Sequence, residues 1–278
     1  MLSLGSVSFS RGRMGEAQKV VVRPIPTSAA SACIRRLHYS GKVVNNSQLS
    51  FGVFFNDRLE GAVQLGPSLD KRKMLGLVRG TQWREMLELN RLAFSEKLPR
   101  NSESRVLGYV FRVIKKNYPH IKWIVSFADA TQCGDGTIYR ASGFLLTGIK
   151  KSFNLARFPN GEIIHKMTFE SNPTASRNIL GGVSYFKVTG GRYNWNGFCD
   201  KVGAVKLKGF QIRYIKFLNP KHQDNLTVPT MPFEKIKEIG ASMYRGNKGA
   251  EGVDSDTSTD QVGEGGASPT SALQSKAA

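Results

Sequence analysis

Three residue types are scarce or scattered in this 278-residue chain, and each scarcity excludes a class of protein. Cysteine is the first: Cys33, Cys133 and Cys199 are odd in number and far apart. That pattern fits reduced thiols in a cytosol and excludes a disulfide framework or a CxxC-type zinc site. Histidine is the second, since His38, His120, His165 and His222 form no HExxH or other paired spacing. A compact protein-ligand metal cage is therefore not encoded locally. Acidic residues are the third: 21 Asp and Glu face 40 Lys and Arg, a net charge of +19. Such an excess repels itself unless a polyanion is near, so nucleic acid is the default partner and an anionic membrane surface the weaker one. Long apolar runs are missing too. No window approaches the roughly 18 residues of a spanning helix, and MLSLGSVSFSRGRMG lacks the form of a secretory signal. Nothing repeats at a fixed period, which excludes a solenoid.

What is present is unevenly arranged. Residues 246–278 carry two lysines against five acids, a net −3, which leaves +22 on residues 1–245. This tail has no aromatic residue and is rich in Gly, Ser, Thr and Ala, so it is expected to be a disordered acidic tail. Residues 1–19 are expected to be a flexible N-terminus.

Thr27-Ser28 before AASACIRRLHYS and Gly41 reads as a capped helix with a glycine stop, with His38 and Tyr39 in its last turn. LSFGVFF, Asn56-Asp57-Arg58 and LEGAVQL read as a hairpin over 49–65. Residues 85–94 alternate as a strand. Asn101 can cap a helix on which Val106, Leu107, Val110 and Ile114 share one face. The near-continuous apolar run IKWIVSFA, residues 121–128, then suits a central strand covered on both sides. Strand, crossover helix and buried strand make a βαβ unit, whose ligands gather beyond the strands' carboxyl ends. Asp129 is placed there. Gly134-Asp135-Gly136 leads into a short helix, TIYRAS, capped by Asp135 or Thr137 and closed by Gly143. Further β signals fall at 144–150, 162–169, 183–189 and 203–218.

Asp129 and Tyr139 can therefore face one cleft: a carboxylate can orient or deprotonate an amine, and a phenol can protonate a leaving group. The alternative is an Asp that caps the turn and a Tyr that packs. Arg91, flanked by Leu89, Leu92 and Phe94, needs an anionic partner if buried, either Asp129 or a substrate. Ser104 at a helix start can donate to a ligand or close the cap. Cys133 reads as structural, having no base beside it. The stretch 192–221 interleaves Lys206, Lys208, Arg213 and Lys216 with Tyr193 and Trp195. Cations that track phosphates and rings that stack on bases suit nucleic-acid contact, against a solvated amphipathic strand.

ELNRLAFSEKLPRNSESRVLG, IKWIVSFADATQCGDGTIYRASGFLLTG, LKGFQIRYIKFL and PFEKIKEIGASMYRG together resemble the Mom-type DNA modification proteins of bacteriophages, over about residues 30–245. The resemblance implies an α+β, GNAT acyltransferase-like fold: a mixed, mostly antiparallel sheet with a central βαβ unit, TIYRASGF being the tyrosine helix. It implies a catalytic core over 20–170 and a basic, β-rich extension over 171–245. It also implies an enzyme of the host-cell cytoplasm that places a carbamoylmethyl (acetamido) group on the exocyclic amine of adenine, so that phage DNA escapes restriction. The partners would be double-stranded DNA and a small-molecule group donor. Arg91, Ser104, Asp129 and Tyr139 match motif positions; His38 and Tyr39 match more loosely. The family is associated with iron, yet no iron triad is recognisable. Where GNAT enzymes carry a glycine loop for the pyrophosphate of coenzyme A, Arg100-Asn101-Ser102-Glu103-Ser104 has no glycine and an added carboxylate. Acetyl-CoA is thus disfavoured and the donor is unidentified. The rival readings are a conventional acyl-CoA-dependent N-acetyltransferase and a non-catalytic DNA-binding protein.

Overall fold

A computed structural model describes residues 16–131 and 134–241. The expectations for the acidic tail, for Cys133 and for residues 1–15 of the N-terminus lie outside these. In chain order the elements are β1 (Val21–Pro24), α1 (Thr27–Leu37), β2 (Leu49–Phe55), β3 (Arg58–Gly66), α2 (Lys71–Leu75), β4 (Met86–Phe94), α3 (Ser102–Asn117), β5 (Trp123–Asp129) and α4 (Thr137–Ala141). They continue with β6 (Leu145–Arg157), β7 (Ile163–His165), α5 (Met167–Glu170), β8 (Ser176–Arg177), β9 (Val183–Ser184), α6 (Tyr185–Thr189), α7 (Trp195–Val202), β10 (Val205–Phe217) and α8 (Glu234–Glu238).

Among the described residues eight strands form one sheet, ordered β1-β2-β3-β4-β5-β10-β6-β7. Every pairing in it is antiparallel except β4 with β5. This is the mixed, mostly antiparallel α+β sheet with a central βαβ unit expected from the sequence. The parallel pair is joined by α3, because parallel strands need a long crossover. Val106, Leu107, Val110 and Ile114 of α3 are all fully buried against one sheet face. Each such aliphatic side chain contributes about 2 kcal/mol of burial. On β5, Ile124 and Ala128 face that core while Trp123 and Val125 face a second one on the other side. The continuous apolar run is explained by this double cover.

Of the stretch 171–245, residues 205–217 form a strand between β5 and β6 in the main sheet. Phe210, Ile212 and Tyr214 point into the core, with Gln211 exposed and Arg213 half-buried between them. The register shift around Gly209 serves a close approach: a Cβ there would sit 1.7 Å from Thr131 Oγ1.

Two expected strands are extended only in part and continue as helices. Within 162–169, only Ile163–His165 is extended and α5 begins at Met167. Within 183–189, Ser184 Oγ accepts from the Lys187 amide at 3.2 Å and Gly190 closes the turn with φ 66°, so capping defines α6. The caps of α1 and α3 also differ from expectation. Pro26, not Thr27, precedes the first turn of α1, and no side chain caps it. Asn101 is left-handed (φ 68°) and makes no side-chain cap bond. The first turn of α3 is held instead by Ser102, whose Oγ donates to the Pro99 carbonyl at 2.5 Å.

Candidate functional site

β4 and β5 pair at only three positions, Met86–Glu88 with Trp123–Val125, and the register ends there. Both strands run on, β4 to Phe94 and β5 to Asp129. Beyond those three pairs, the carboxyl-terminal halves border a cleft of about 530 Å³. Leu89–Glu96 form one wall, Phe127 and Ala128 with Gly134–Tyr139 the other, and Leu37, His38, Tyr39 and Glu103 complete it.

Arg91 lines this cleft from β4, half-buried. Its Nε donates to the Lys42 carbonyl at 3.0 Å and its Nη1 to the Asn90 carbonyl at 2.7 Å. Burial pulls the guanidinium pKa down, while the fields of Tyr39 and Glu88 oppose the shift. Glu88 is raised by burial, against a hydrogen bond from Ser68 and the field of Arg91.

Tyr139 is 8% exposed on α4. Its ring lies 4.8 Å from that of Tyr214 and edge-on to Phe144 at 5.2 Å. Gly136 makes this packing attainable: its φ is +76°, and a Cβ there would meet the Tyr139 ring at 2.6 Å and the Tyr214 ring at 2.9 Å. Asp135 caps the turn by accepting from the Thr137 amide at 3.1 Å. Asp129 ends β5 opposite Gln211, half-buried, and accepts from the Thr131 amide at 2.9 Å. Its charge acts on His165, whose pKa is lowered chiefly by burial.

His38 lies just past the end of α1 rather than in its last turn. Its Nδ1 is 2.8 Å from Ser40 Oγ, and its ring centroid is 4.3 Å from that of Tyr39. The structure thus brings Arg91, Tyr139, His38 and Tyr39 to one cleft, whereas Asp129 follows the lining residue Ala128 and is itself outside the lining. Ser104 is outside that lining, and its hydroxyl donates to the Asn101 carbonyl at 3.4 Å.

The basic and aromatic residues of 192–221 are more dispersed. Arg213 is half-buried, donating from Nε to Thr147 Oγ1 at 3.1 Å and from Nη2 to the Thr147 carbonyl at 2.6 Å. Lys216 donates to the Gly143 carbonyl at 3.1 Å and Lys206 to Asn196 Oδ1 at 2.8 Å. Trp195 is half-buried, its Nε1 donating to the Phe153 carbonyl at 2.8 Å. Tyr193 and Lys208 are exposed.

At the start of α3 the Ser102 amide donates to the Pro99 carbonyl at 3.1 Å, and Glu103 turns toward the cleft. A pyrophosphate there would meet a carboxylate and one fewer free amide. For iron, the fit is poor. Among the described residues no three His, Cys, Asp or Glu gather as a metal site. No helix among them is long and apolar enough to cross a membrane.

The class is an α+β enzyme core, with a cleft carrying a guanidinium and a phenol where the parallel strand pair parts. More narrowly, the chain belongs to the Mom protein family, whose family model matches residues 19–235. It is 35% identical over 213 residues to "Methylcarbamoylase mom" of Escherichia phage Mu, spanning 76% of this chain and 80% of that protein. Solved structures similar to the chain include a GNAT-family acetyltransferase from Elizabethkingia anophelis with acetyl-CoA bound. It is 14% identical, covers 72% of this chain and 98% of its own, and has a TM-score of 0.38. Another is an IAA acetyltransferase from Bacillus cereus, at 13% identity, 71% and 99% coverage and a TM-score of 0.39.

Proposed function

We propose that this protein is a phage DNA-modifying transferase that converts adenine to its N6-carbamoylmethyl form and so shields phage DNA from restriction. The observation that carries the reading is the family match over residues 19–235, joined to a cleft lined by Arg91 and Tyr139, with Asp129 the residue after the lining Ala128. The cleft, about 530 Å³, is large enough for an extruded base. Extrusion is needed because stacking restricts access to the exocyclic amine.

In this reading Asp129 accepts a proton from the N6 amine as nitrogen bonds to the methylene carbon of the donor. The bond from that carbon to the leaving group breaks, and Tyr139 hydrogen-bonds or protonates the group as it departs. Arg91, on the wall of the cleft, supplies the positive charge that faces the incoming substrate. Ser104 supports the start of α3. Lys206, Lys208, Arg213 and Lys216, with Tyr193 and Trp195, serve as the DNA-facing set, and the chain acts within the host cell. The proposed partition is a catalytic core over 20–170 and an extension over 171–245, whose β10 is shared with the main sheet.

The test compares DNA from cells expressing wild type, Asp129→Asn and Tyr139→Phe, digested to nucleosides and weighed by mass spectrometry. The expected result is modified adenine with wild type, at least a hundredfold less with Asp129→Asn, in line with the usual contribution of a general base, and unchanged duplex binding by both variants. Unmodified adenine from soluble wild type sinks the reading.

A further inference from the structure

We propose that Lys42, Arg91 and Arg177 form a clamp at the rim of the cleft that grips one phosphodiester of the strand presenting the target base. The inference rests on the DNA-modifying reading above. The three side chains come from distant segments: the loop after α1, strand β4 and strand β8. Thr168 on α5 draws two of them together. Its hydroxyl accepts from Lys42 Nζ, and its carbonyl accepts from Arg177 Nη2 at 2.6 Å. Arg91 Nε ties in the third by donating to the Lys42 carbonyl at 3.0 Å.

All the acceptors in this arrangement are neutral. Among the described residues no carboxylate forms an ion pair with any of the three cations. Arg177 Nε is buried with no hydrogen-bond partner. A buried guanidinium N–H without an acceptor is costly, and gathered like charges repel. Lys42 registers the repulsion: beside partial desolvation of its amine, the larger cause, the fields of Arg177 and Arg91 pull its pKa down. A tetrahedral oxyanion would supply the missing negative charge and several acceptor oxygens at once.

Position favours a DNA phosphate over an anionic group on the donor. Lys42 and Arg177 are absent from the cleft lining, and Lys42 is exposed, whereas Arg91 lines the cleft and also donates to the Lys42 carbonyl. A backbone passing outside while its base enters has this geometry. A small donor held wholly in the cleft would meet Arg91 alone.

The test uses the full chain and an adenine-containing duplex, with binding measured against salt concentration. Lys42→Gln/Arg177→Gln should weaken binding about tenfold and make the log–log salt slope shallower by about one, with thermal unfolding unchanged. Thr168→Val, which removes only the lysine's anchor, should show part of that loss. Should the paired variant not fold, the exposed Lys42→Gln alone carries the measurement. A scan of single neutral methylphosphonates should find one position that weakens wild type about tenfold and leaves the variant unaffected, as one lost phosphate contact requires. An unchanged salt slope, or equal weakening of wild type and variant at every position, overturns the clamp while the DNA reading stands. Wild type that fails to bind duplex at all overturns the DNA reading itself.

Discussion

Two regions of this molecule are built on opposite terms. The satellite core of Phe158, Phe169, Tyr185, Phe198 and Cys199, at one end of the sheet, is apolar and closed. Four aromatic rings surround Phe198 at centroid distances from 4.7 to 6.3 Å. Even the Tyr185 hydroxyl is engaged, accepting from the Asn194 amide at 3.0 Å. The cleft between β4 and β5 is the reverse: its lining carries the half-buried guanidinium of Arg91 and a buried Asn90 Oδ1 without a hydrogen-bond partner. Satisfied apolar packing holds the chain together, whereas partly satisfied polar groups mark where a ligand is awaited. Mutations should therefore sort by region, moving either stability or chemistry.

The largest stability effect is expected from Phe198→Ala. The side chain is fully buried, so its loss should cost about 3–5 kcal/mol, read as a lower Tm and urea midpoint. Where the variant remains folded, adenine modification per folded molecule should stay near wild type. A variant of normal Tm and lost activity would break the comparison.

Gly136→Ala probes the border between the regions. Its φ of +76° and the 2.6 Å approach to Tyr139 leave no room for a methyl group. The backbone strain should cost about 1–2 kcal/mol, yet the displaced phenol should lower modification far more than Tm. Nucleoside mass spectrometry beside thermal unfolding separates the two.

These cases show what was legible along the chain. The β4-α3-β5 unit could be read because Val106, Leu107, Val110 and Ile114 keep helical spacing and β5 is apolar on both faces. Asp129 followed directly from where β5 stops. The helix α6 was signalled by Ser184 and Gly190, but Val183, Tyr185, Phe186 and Val188 suit strands and outweighed the caps. Lys42, Thr168, Arg177 and His165 were invisible as a group. Lys42 and Thr168 are 126 residues apart, and only the fold brings them into contact. Trp195 illustrates the converse, since its sequence neighbours suggested base stacking while its indole N–H donates to the Phe153 carbonyl.

A smaller effect is expected from Cys199. Burial pushes its thiol from 9.0 to about 11. The folded chain therefore holds a proton that the unfolded chain loses, and stability is full below pH 9 and falls between about 9 and 11. Two units correspond to about 2–3 kcal/mol. Cys199→Ala should lack this share of the alkaline loss when the two proteins are unfolded in urea at pH 8 and pH 10.5. Parallel curves would mean that water reaches the satellite core.

The smallest stability effect, and the sharpest discrimination, belongs to Ser104. Its hydroxyl makes one long bond, 3.4 Å to the Asn101 carbonyl, at a half-buried position. Ser104→Ala should thus change stability by no more than about 0.5 kcal/mol, as exposed or weakly bonded substitutions do. If Ser104 only closes the first turn of α3, modification follows stability and stays near wild type. If its hydroxyl reaches a ligand at the start of α3, modification drops tenfold or more at unchanged Tm, and Thr at this position restores part of it. Such a split would extend the functional region past the lined cleft, to the helix start where the glycine-free loop meets Glu103.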